Sequence, residues 1–284
     1  MPLGANIQKN SLGSNRPGSF ASPEGLIQEG RTSETVTIPL KDLTYGPCPY
    51  LNHASLWRVA EFSCNALPPA IYESLLPRGF RRSGTSFYRT ICEGCDRCIP
   101  IRIDVENFRP SRSQRRVLRR NIDTQVSCDS GETSFREDRF RLYESYCRDR
   151  HGKPTESGEG SNVYSSFLVD SPLGSVTVTE YWTVQDGHPR LIGNGYLDVL
   201  PEGLSSVYFV WDTVVSRLSL GTYSILREIE LARNLGKRWY YLGFWVPGSP
   251  VMDYKANFGP AQISRHDRWI PLTEEMRDEL RGVA

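Results

Sequence analysis

The first third of the chain alternates hydrophobic and polar residues in two places, which predicts two strands. The alternation begins in residues 35–40, TVTIPL, and returns in residues 98–108, CIPIRIDVENF. Between them, residues 67–80, LPPAIYESLLPRGF, carry apolar side chains on one side of a helix, with proline at its start and Pro77 and Gly79 at its end. The pattern therefore predicts a strand, a short helix and a second strand.

The second half of the chain combines helical spacing with runs typical of strands. Residues 134–152 repeat aromatic residues near helical spacing, and residues 221–236 form the clearest amphipathic helix, ended by Gly236. Residues 238–246 follow as a last buried strand. Strand-like runs separated by turn residues occupy residues 162–169, 175–182, 190–200 and 205–212. This order predicts an α+β fold, with a helix, an antiparallel meander, a helix and a strand, and not alternating βαβ units.

Positive charge is concentrated in one segment of the chain. The 284 residues carry a formal net charge of +1 at pH 7, but residues 78–120 contain twelve arginines and four acidic residues. A chain that is neutral overall and basic along one segment indicates contact with a polyanion at that segment. Every one of these cations is arginine, whose planar guanidinium matches phosphate in a bidentate manner.

Six of these arginines crowd into residues 109–120, which are predicted to be helical. Because only Val117 and Leu118 can anchor that helix, most of its arginines must face outward, where they can contact a nucleic-acid backbone. A solvated helix face is the alternative. Gly221 and Thr222, at the start of the strongest helix, form a second candidate anion site, with a simple helix cap as the alternative. The candidate arginines are Arg112, Arg115, Arg116, Arg119 and Arg120.

The seven cysteines are an odd number, and no signal-peptide segment is evident, so we expect a reduced, cytoplasmic protein without an extracellular disulfide framework. No run approaches the ~20 apolar residues needed to span a bilayer, so no membrane contact is expected. Cys92, Cys95 and Cys98 follow one another at a spacing of three, and Cys48 is the natural fourth ligand of a structural zinc ion or iron–sulfur cluster. Cysteines that pack as small hydrophobic residues are the alternative.

Signals of covalent catalysis are poor. The chain has four histidines and lacks the G-x-S-x-G, H-E-x-x-H, P-loop and G-x-G-x-x-G motifs. Nothing in the sequence therefore indicates a covalent nucleophile.

Several long segments carry a recognisable pattern. They are CPYL at residues 48–51, the cysteine- and arginine-rich residues 79–121, LPEGLSSVYFVWD at 200–212, LSLGTYSILREIELARNLG at 218–236 and YYLGFWVPGSPVMDYKANFGP at 240–260. Together they resemble the aminoacyl-tRNA–protein transferases, the arginyltransferase family with its compact bacterial aspartate/glutamate leucyltransferase branch. The resemblance implies transfer of leucine or arginine from a charged tRNA to the N-terminal α-amine of proteins that begin with Asp or Glu, which marks them for degradation. The short length and the single cysteine of CPYL favour leucine.

The resemblance also implies an N-terminal cysteine-bearing domain followed by an acetyltransferase-like (GNAT) domain. Accordingly we expect a disordered arm at 1–35, a cysteine-containing domain at 36–108, an Arg-rich connector at 109–130, a GNAT-like transferase domain at 131–275 and a tail at 276–284. An aminoacyl ester is already activated, so no cofactor is required for transfer and any metal would be structural. Only one cysteine occupies CPYL, where other members of the family have C-x-x-C.

Roles in substrate binding follow from the same resemblance. The tRNA is expected to contact the Arg-rich segment, with its acceptor end near Gly221. The acidic N-terminal side chain of the protein substrate requires a cation, for which Arg81, Arg82 and Lys255 are the candidates.

Roles in the chemical step are also expected. Asp198, or a water that it holds, is expected to accept the proton of the attacking amine, and Ser205, Ser206 and Tyr208 are expected to donate hydrogen bonds or to position the substrate. An ordinary start of a strand is the alternative reading of the segment LSSVY.

Two other classes of protein compete with this interpretation. A non-catalytic, metal-stabilised RNA-binding protein would bind tRNA with a steep dependence on salt and would transfer nothing. A GNAT-type N-acetyltransferase would use acetyl-CoA, but the usual pyrophosphate-binding loop is absent, with only RLSLGTY in its place.

Overall fold

The architecture is mixed α+β, as predicted, with two β-sheets and helices packed against them. The computed structural model describes residues 38–52, 55–131, 134–152, 160–174 and 176–282. The predicted disordered arm at 1–35 lies outside the described residues. No helix in the described part is long and apolar enough to cross a membrane.

The smaller sheet is antiparallel, with the strand order β1-β2-β4-β3. Its strands are β1 (Lys41–Pro47), β2 (Leu56–Ser63), β3 (Arg81–Ser83) and β4 (Ser86–Thr90). Of the strand predicted for residues 35–40, residues 35–37 lie outside the described residues and residues 38–40 are not in a strand; β1 begins at Lys41. Helix α1 (Pro69–Leu75) starts with proline, as predicted, where a missing N–H costs nothing. Tyr72 of α1 packs edge-on against Phe87 of β4, with ring centroids 5.0 Å apart, which closes a core between helix and sheet.

The larger sheet has the strand order β12-β11-β5-β10-β9-β8-β7-β6. Its strands are β5 (Ile99–Asp104), β6 (Gln125–Gly131), β7 (Val176–Gln185), β8 (His188–Val199), β9 (Gly203–Trp211), β10 (Trp239–Trp245), β11 (Ala261–Arg265) and β12 (Arg268–Pro271). Neighbouring strands are antiparallel except for β9 and β10, which are parallel. The predicted meander is therefore β7, β8 and β9.

Five further helices complete the fold. They are α2 (Arg112–Arg120), α3 (Glu137–His151), α4 (Gly160–Tyr164), α5 (Leu220–Asn234) and α6 (Glu274–Gly282). The strand predicted for residues 162–169 is wrong, because α4 continues into a wider helical turn at Ser165–Val169. Tyr164, Phe167 and Leu168 are buried there at a spacing of three and four residues, as in a helix. The apolar run is too short for its sequence pattern to distinguish a helix from a strand.

The predicted domain boundaries do not follow the sheets. Strand β5, assigned to the cysteine-containing domain at 36–108, lies between β10 and β11 of the larger sheet. Its buried isoleucines pack in the same core as Ile225 and Ile229 of α5. The predicted tail is mostly helix α6, whose Met276 and Leu280 pack against that core. The predicted connector contains α2 and β6.

Strands β9 and β10 separate after a short stretch of pairing. Their paired residues are Gly203 with Trp239, Leu204 with Tyr240 and Ser205 with Tyr241. Beyond these pairs the two parallel strands continue to Trp211 and Trp245 without pairing to each other. The divergence opens the larger sheet at its centre.

A buried ion pair joins the two sheets. Arg82 of β3 places Nη2 2.7 Å from Asp198 Oδ1 of β8, and its Nε lies 3.0 Å from both carboxylate oxygens. Both side chains are fully buried. Arg82 Nη1 also donates to the carbonyl oxygen of Gly84 at 3.0 Å, so the guanidinium is well provided with acceptors.

The turn after β3 contacts the helical turn at Ser165–Val169, and this contact can be tested. Gly84 has φ +58°, and a Cβ placed on it would lie 1.8 Å from the carbonyl oxygen of Ser166. Gly94 has φ +67°, and a Cβ there would meet nothing within 4 Å. The left-handed backbone lowers the unfolding free energy of both alanine variants by about 1–2 kcal/mol. Because only Gly84→Ala also meets a steric clash, we expect it to lose roughly 1–3 kcal/mol more unfolding free energy than Gly94→Ala. Urea unfolding measures the difference, and equal losses would contradict the contact.

Candidate active site

A cavity of about 1110 Å³ opens where β9 and β10 diverge. Strand β9 lines it with Ser206 and Tyr208, and β10 lines it with Gly243. The start of α5 adds Gly221 and Thr222, the residues expected to meet an anion. Arg81 and Lys255 line it as well, so the structure brings six of the predicted site residues to one space.

Two cations stand together on the cavity wall. Arg81 Nη1 donates to Ser205 Oγ at 3.1 Å, and its Nη2 donates to the carbonyl oxygen of Ser206. A Cβ placed on Gly243, where φ is +86°, would lie 3.5 Å from both Arg81 Nη2 and Lys255 Nζ. Neither cation forms an ion pair with an acidic side chain in the described part of the chain. Two unpaired cations side by side favour an anionic ligand.

Lys255 is an unusual lysine. Burial and the positive charge of Arg81 together lower its pKa to about 7, against the opposing effect of Cys98. Its charge therefore depends on pH in the neutral range. A bound carboxylate would hold the proton on Lys255 and raise this pKa again.

Another wall of the cavity is aromatic. Tyr146 of α3 packs on Trp211 with ring centroids 4.6 Å apart, and Tyr208 packs edge-on against Phe167 at 5.1 Å. The guanidinium of Arg150 lies 5.4 Å from the centre of the Trp211 ring. This wall can receive an apolar side chain and disfavours a cationic one.

Arg82 and Asp198 do not line the cavity. Both oxygens of Asp198 face Arg82, and neither side chain is exposed. This arrangement corrects two expectations, because Asp198 has no free oxygen with which to accept a proton from an amine and Arg82 has no free edge for a substrate carboxylate. Ser205 is also buried, and its hydroxyl accepts from Arg81. Arg82, Asp198 and Ser205 therefore lie buried outside the cavity lining and hold the lining residues in place.

The arginine helix α2 ends beside the cavity. A capping box between Ser111 and Gln114 starts the helix, and Gln114 donates to the carbonyl oxygen of Asn257 at 3.1 Å. At the other end, Arg120 donates to Ser219 Oγ at 3.2 Å, and Ser219 lines the cavity. The exposed arginines of this helix have no acidic partner within the residues that the structure describes. They are Arg112, Arg115, Arg116, Arg119 and Arg120.

The four candidate metal ligands lie near one another without forming a metal site. Burial raises the pKa of Cys98 to about 12, together with the smaller effects of the neighbouring thiols of Cys92, Cys48 and Cys95. Cys92 accepts from the backbone N–H of Arg58 at 3.4 Å. No group of three or more His, Cys, Asp or Glu side chains in the described residues is arranged to hold a metal ion. As they stand, these residues do not fit zinc or a cluster, and the metal site stays a prediction.

One residue of the cavity wall was missed by the sequence analysis. Glu228 lies on the apolar face of α5, between Ile225 and Ala232 at helical spacing, and it is buried. A charged residue on the buried face of an amphipathic helix was the available signal. The other acidic residue on the wall, Asp149, accepts a hydrogen bond from Thr213.

The fold and the cavity define an α+β protein with two cations on a cavity wall and a row of exposed arginines beside it. Two family models match the chain: the N terminus of arginine-tRNA-protein transferase over residues 46–116 and its C terminus over residues 138–265. The chain therefore belongs to the arginine-tRNA-protein transferase family, a family of aminoacyltransferases.

Curated relatives match along most of the chain. The aspartate/glutamate leucyltransferase of Dinoroseobacter shibae is 35% identical over 247 residues, covering 83% of this chain and 86% of the relative. Proteins of the same name from Chromobacterium violaceum and Pseudomonas aeruginosa are 34% and 36% identical over 228 residues, with 91% and 94% of their own lengths covered. Among solved structures, FemX matches at 8% identity with a TM-score of 0.40, over 76% of this chain and 83% of that one. A similarity of that size supports no argument about function.

Proposed function

We propose that this protein transfers leucine from Leu-tRNA to the α-amine of proteins that begin with Asp or Glu, which marks them for degradation. The observation that carries the proposal is the unpaired cation pair, Arg81 and Lys255, inside a cavity that opens beside the arginine helix. The family models and the names of the relatives support the same reaction. The cytoplasm, where charged tRNA is found, stays the predicted location.

The acceptor protein is recognised through its acidic side chain. A carboxylate placed over Gly243 meets Arg81 and Lys255 together, and hydrogen bonds between ionised partners are about twice as strong as neutral ones. Arg82 takes no direct part, since it is occupied by Asp198. The main chain of the acceptor then extends from the cavity toward solvent.

The donor tRNA lies along α2. Its phosphates contact the exposed arginines, and its acceptor end enters the cavity past Ser219, which Arg120 holds. The leucyl side chain packs on the aromatic wall formed by Tyr146, Tyr208 and Trp211. An arginyl side chain is disfavoured there, because Arg150 already places a positive charge over Trp211.

The chemical step requires little of the protein besides placement. The ester of the aminoacyl-tRNA is activated, so an amine held against its carbonyl carbon reacts mainly through proximity and orientation. Ser206 and Tyr208 are the predicted donors that line the cavity, and we assign them to the developing oxyanion. No metal or cofactor takes part in this step. The separation of the parallel strands β9 and β10 supports an acetyltransferase-like transferase domain.

Parallel transfer reactions test the proposal. Radiolabelled Leu-tRNA and Arg-tRNA are each offered with peptides that begin with Asp, Glu, Lys or Ala. We expect label from Leu-tRNA on the Asp and Glu peptides only, because the cation pair selects a carboxylate and the aromatic wall selects an apolar donor. Label from Arg-tRNA alone would reverse the donor assignment. Label from neither, with salt-sensitive tRNA binding, would favour the non-catalytic RNA-binding class.

Lys255 gives the reaction a specific dependence on pH. Its charged form is lost as pH rises through about 7, so we expect the KM for an Asp peptide to rise by up to about tenfold per pH unit above that value. Arginine stays charged throughout this range, so Lys255→Arg flattens the rise. The ammonium group of the peptide titrates in the same way with both proteins, so it does not affect the comparison. Lys237→Arg, outside the cavity, is the matched control. Parallel KM profiles for wild type and Lys255→Arg would exclude this role.

A further inference from the structure

Glu228 is a cavity residue that the scheme above leaves without a role. The residue is 1% exposed, in the middle of α5, and its side chain reaches the cavity. Oε2 accepts a hydrogen bond from the Tyr240 hydroxyl, whereas Oε1 has no hydrogen-bond partner within the described part of the chain. Buried polar atoms without partners are uncommon and costly. The free oxygen therefore points to a ligand.

The surroundings of Oε1 are polar, and the space beside it is left unfilled by side chains. Thr179 Oγ1, on the neighbouring strand β7, is also buried without a hydrogen-bond partner among the described residues. Thr179 is close enough to lower the pKa of Glu228 but lacks the geometry of a hydrogen bond. A Cβ on Gly195 would lie 2.7 Å from Glu228 Oε1 and 2.8 Å from Thr179 Oγ1, so only glycine keeps this space free.

A short chain of contacts connects this space to the cation pair. Arg81 donates to the carbonyl oxygen of Ser206, the Ser206 side chain interacts with the Tyr240 hydroxyl, and Tyr240 donates to Glu228. In an N-terminal Asp or Glu, only a short carbon chain separates the carboxylate from the α-amine. Arg81, Lys255 and Glu228 line the same cavity, so an acceptor whose carboxylate rests on the two cations presents its amine in the space that Glu228 lines.

We propose that Glu228 is the catalytic base that takes a proton from the α-ammonium group of the acceptor. This inference rests on the proposed function and deepens it. The ammonium group gives one proton to Glu228 Oε1 and becomes a neutral amine. The amine nitrogen then bonds to the carbonyl carbon of the aminoacyl ester, the ester C–O bond breaks, and the leaving ribose oxygen takes the second proton from that nitrogen. Glu228 releases its proton to solvent before the next turnover.

The proton affinity of Glu228 suits this task. Burial raises its pKa to about 8, against the opposing effect of hydroxyl groups of Tyr240 and Thr179. An α-amino group has a pKa of about 7.7–8.0, so the transfer is nearly balanced, whereas an ordinary glutamate near 4.3 would be too weak a base. A base works best when its pKa lies near the working pH.

The groups that face Glu228 leave this affinity intact. They are the hydroxyls of Tyr240 on β10, Tyr181 and Thr179 on β7 and Tyr254 in the turn after β10. Burial raises the pKa of each of these tyrosines, so they stay neutral near pH 8. Arg227, the neighbour of Glu228 on α5, pairs with Glu230 at 2.7 Å.

The test compares Glu228→Gln with wild type in leucine transfer to an Asp peptide. Glutamine keeps the shape and an acceptor for Tyr240 but cannot take a proton, so we expect kcat to fall by about 10²–10⁴-fold with little change in KM. Glu230→Gln, on the exposed side of the same helix, is the matched control and should behave as wild type.

A modified acceptor separates loss of the base from damage to the cavity. An α-aminooxy analogue of the Asp peptide has a nitrogen that is neutral at pH 7 and needs no base. We expect Glu228→Gln to use this acceptor at close to the wild-type rate. Equal activity of both proteins on the ordinary peptide would overturn the inference and leave the proposed function standing. An equal defect on both acceptors would also overturn it, and no transfer by wild type would overturn both proposals.

Discussion

The ion pair between Arg82 and Asp198 is the constraint on which the rest of the molecule depends. It joins two strands that belong to different sheets and that lie 116 positions apart in sequence. Removing both charges from water costs several kcal/mol per ion, and only close geometry and added hydrogen bonds offset that cost. The Asp198 carboxylate meets this requirement, because it accepts hydrogen bonds from two nitrogens of the Arg82 guanidinium. Because Arg81 directly precedes Arg82 in β3, the ion pair also fixes where Arg81 enters the cavity.

The cavity combines three features that arise in different parts of the fold. The parallel strands β9 and β10 separate after three residue pairs and create the space. Strand β3 and the turn after β10 each bring one cation to its wall. Helix α2, packed beside α5, places a row of arginines at its edge through Arg120. The proposed transfer between a tRNA and an acidic N-terminus requires a polyanion outside and a carboxylate inside, and these features offer a surface to each.

The sequence predicted most helices and strands because their periodicity extends over enough residues, as in α5 and β5. Residues 162–169 were misassigned because a short apolar run fits both a strand and a buried helix. Arg81, Arg82 and Lys255 were the predicted cations, and two of them, Arg81 and Lys255, line the cavity. The roles of Arg82 and Asp198 were not predictable, since alternation along β8 does not reveal a partner from another sheet. Glu228 carried a signal, a charge on an apolar helix face, but its free oxygen is visible only in three dimensions.

The most direct test of this account is a double-mutant cycle with Arg82→Met and Asp198→Leu, measuring unfolding free energy and leucine transfer per folded molecule. Each single change leaves a buried charge without its partner and should cost about 3–5 kcal/mol. The double variant should regain most of that stability together with transfer, because the pair supports the site and does not act in the reaction. A double variant that is stable and folded but transfers nothing would contradict the account and return Asp198 to the chemical step.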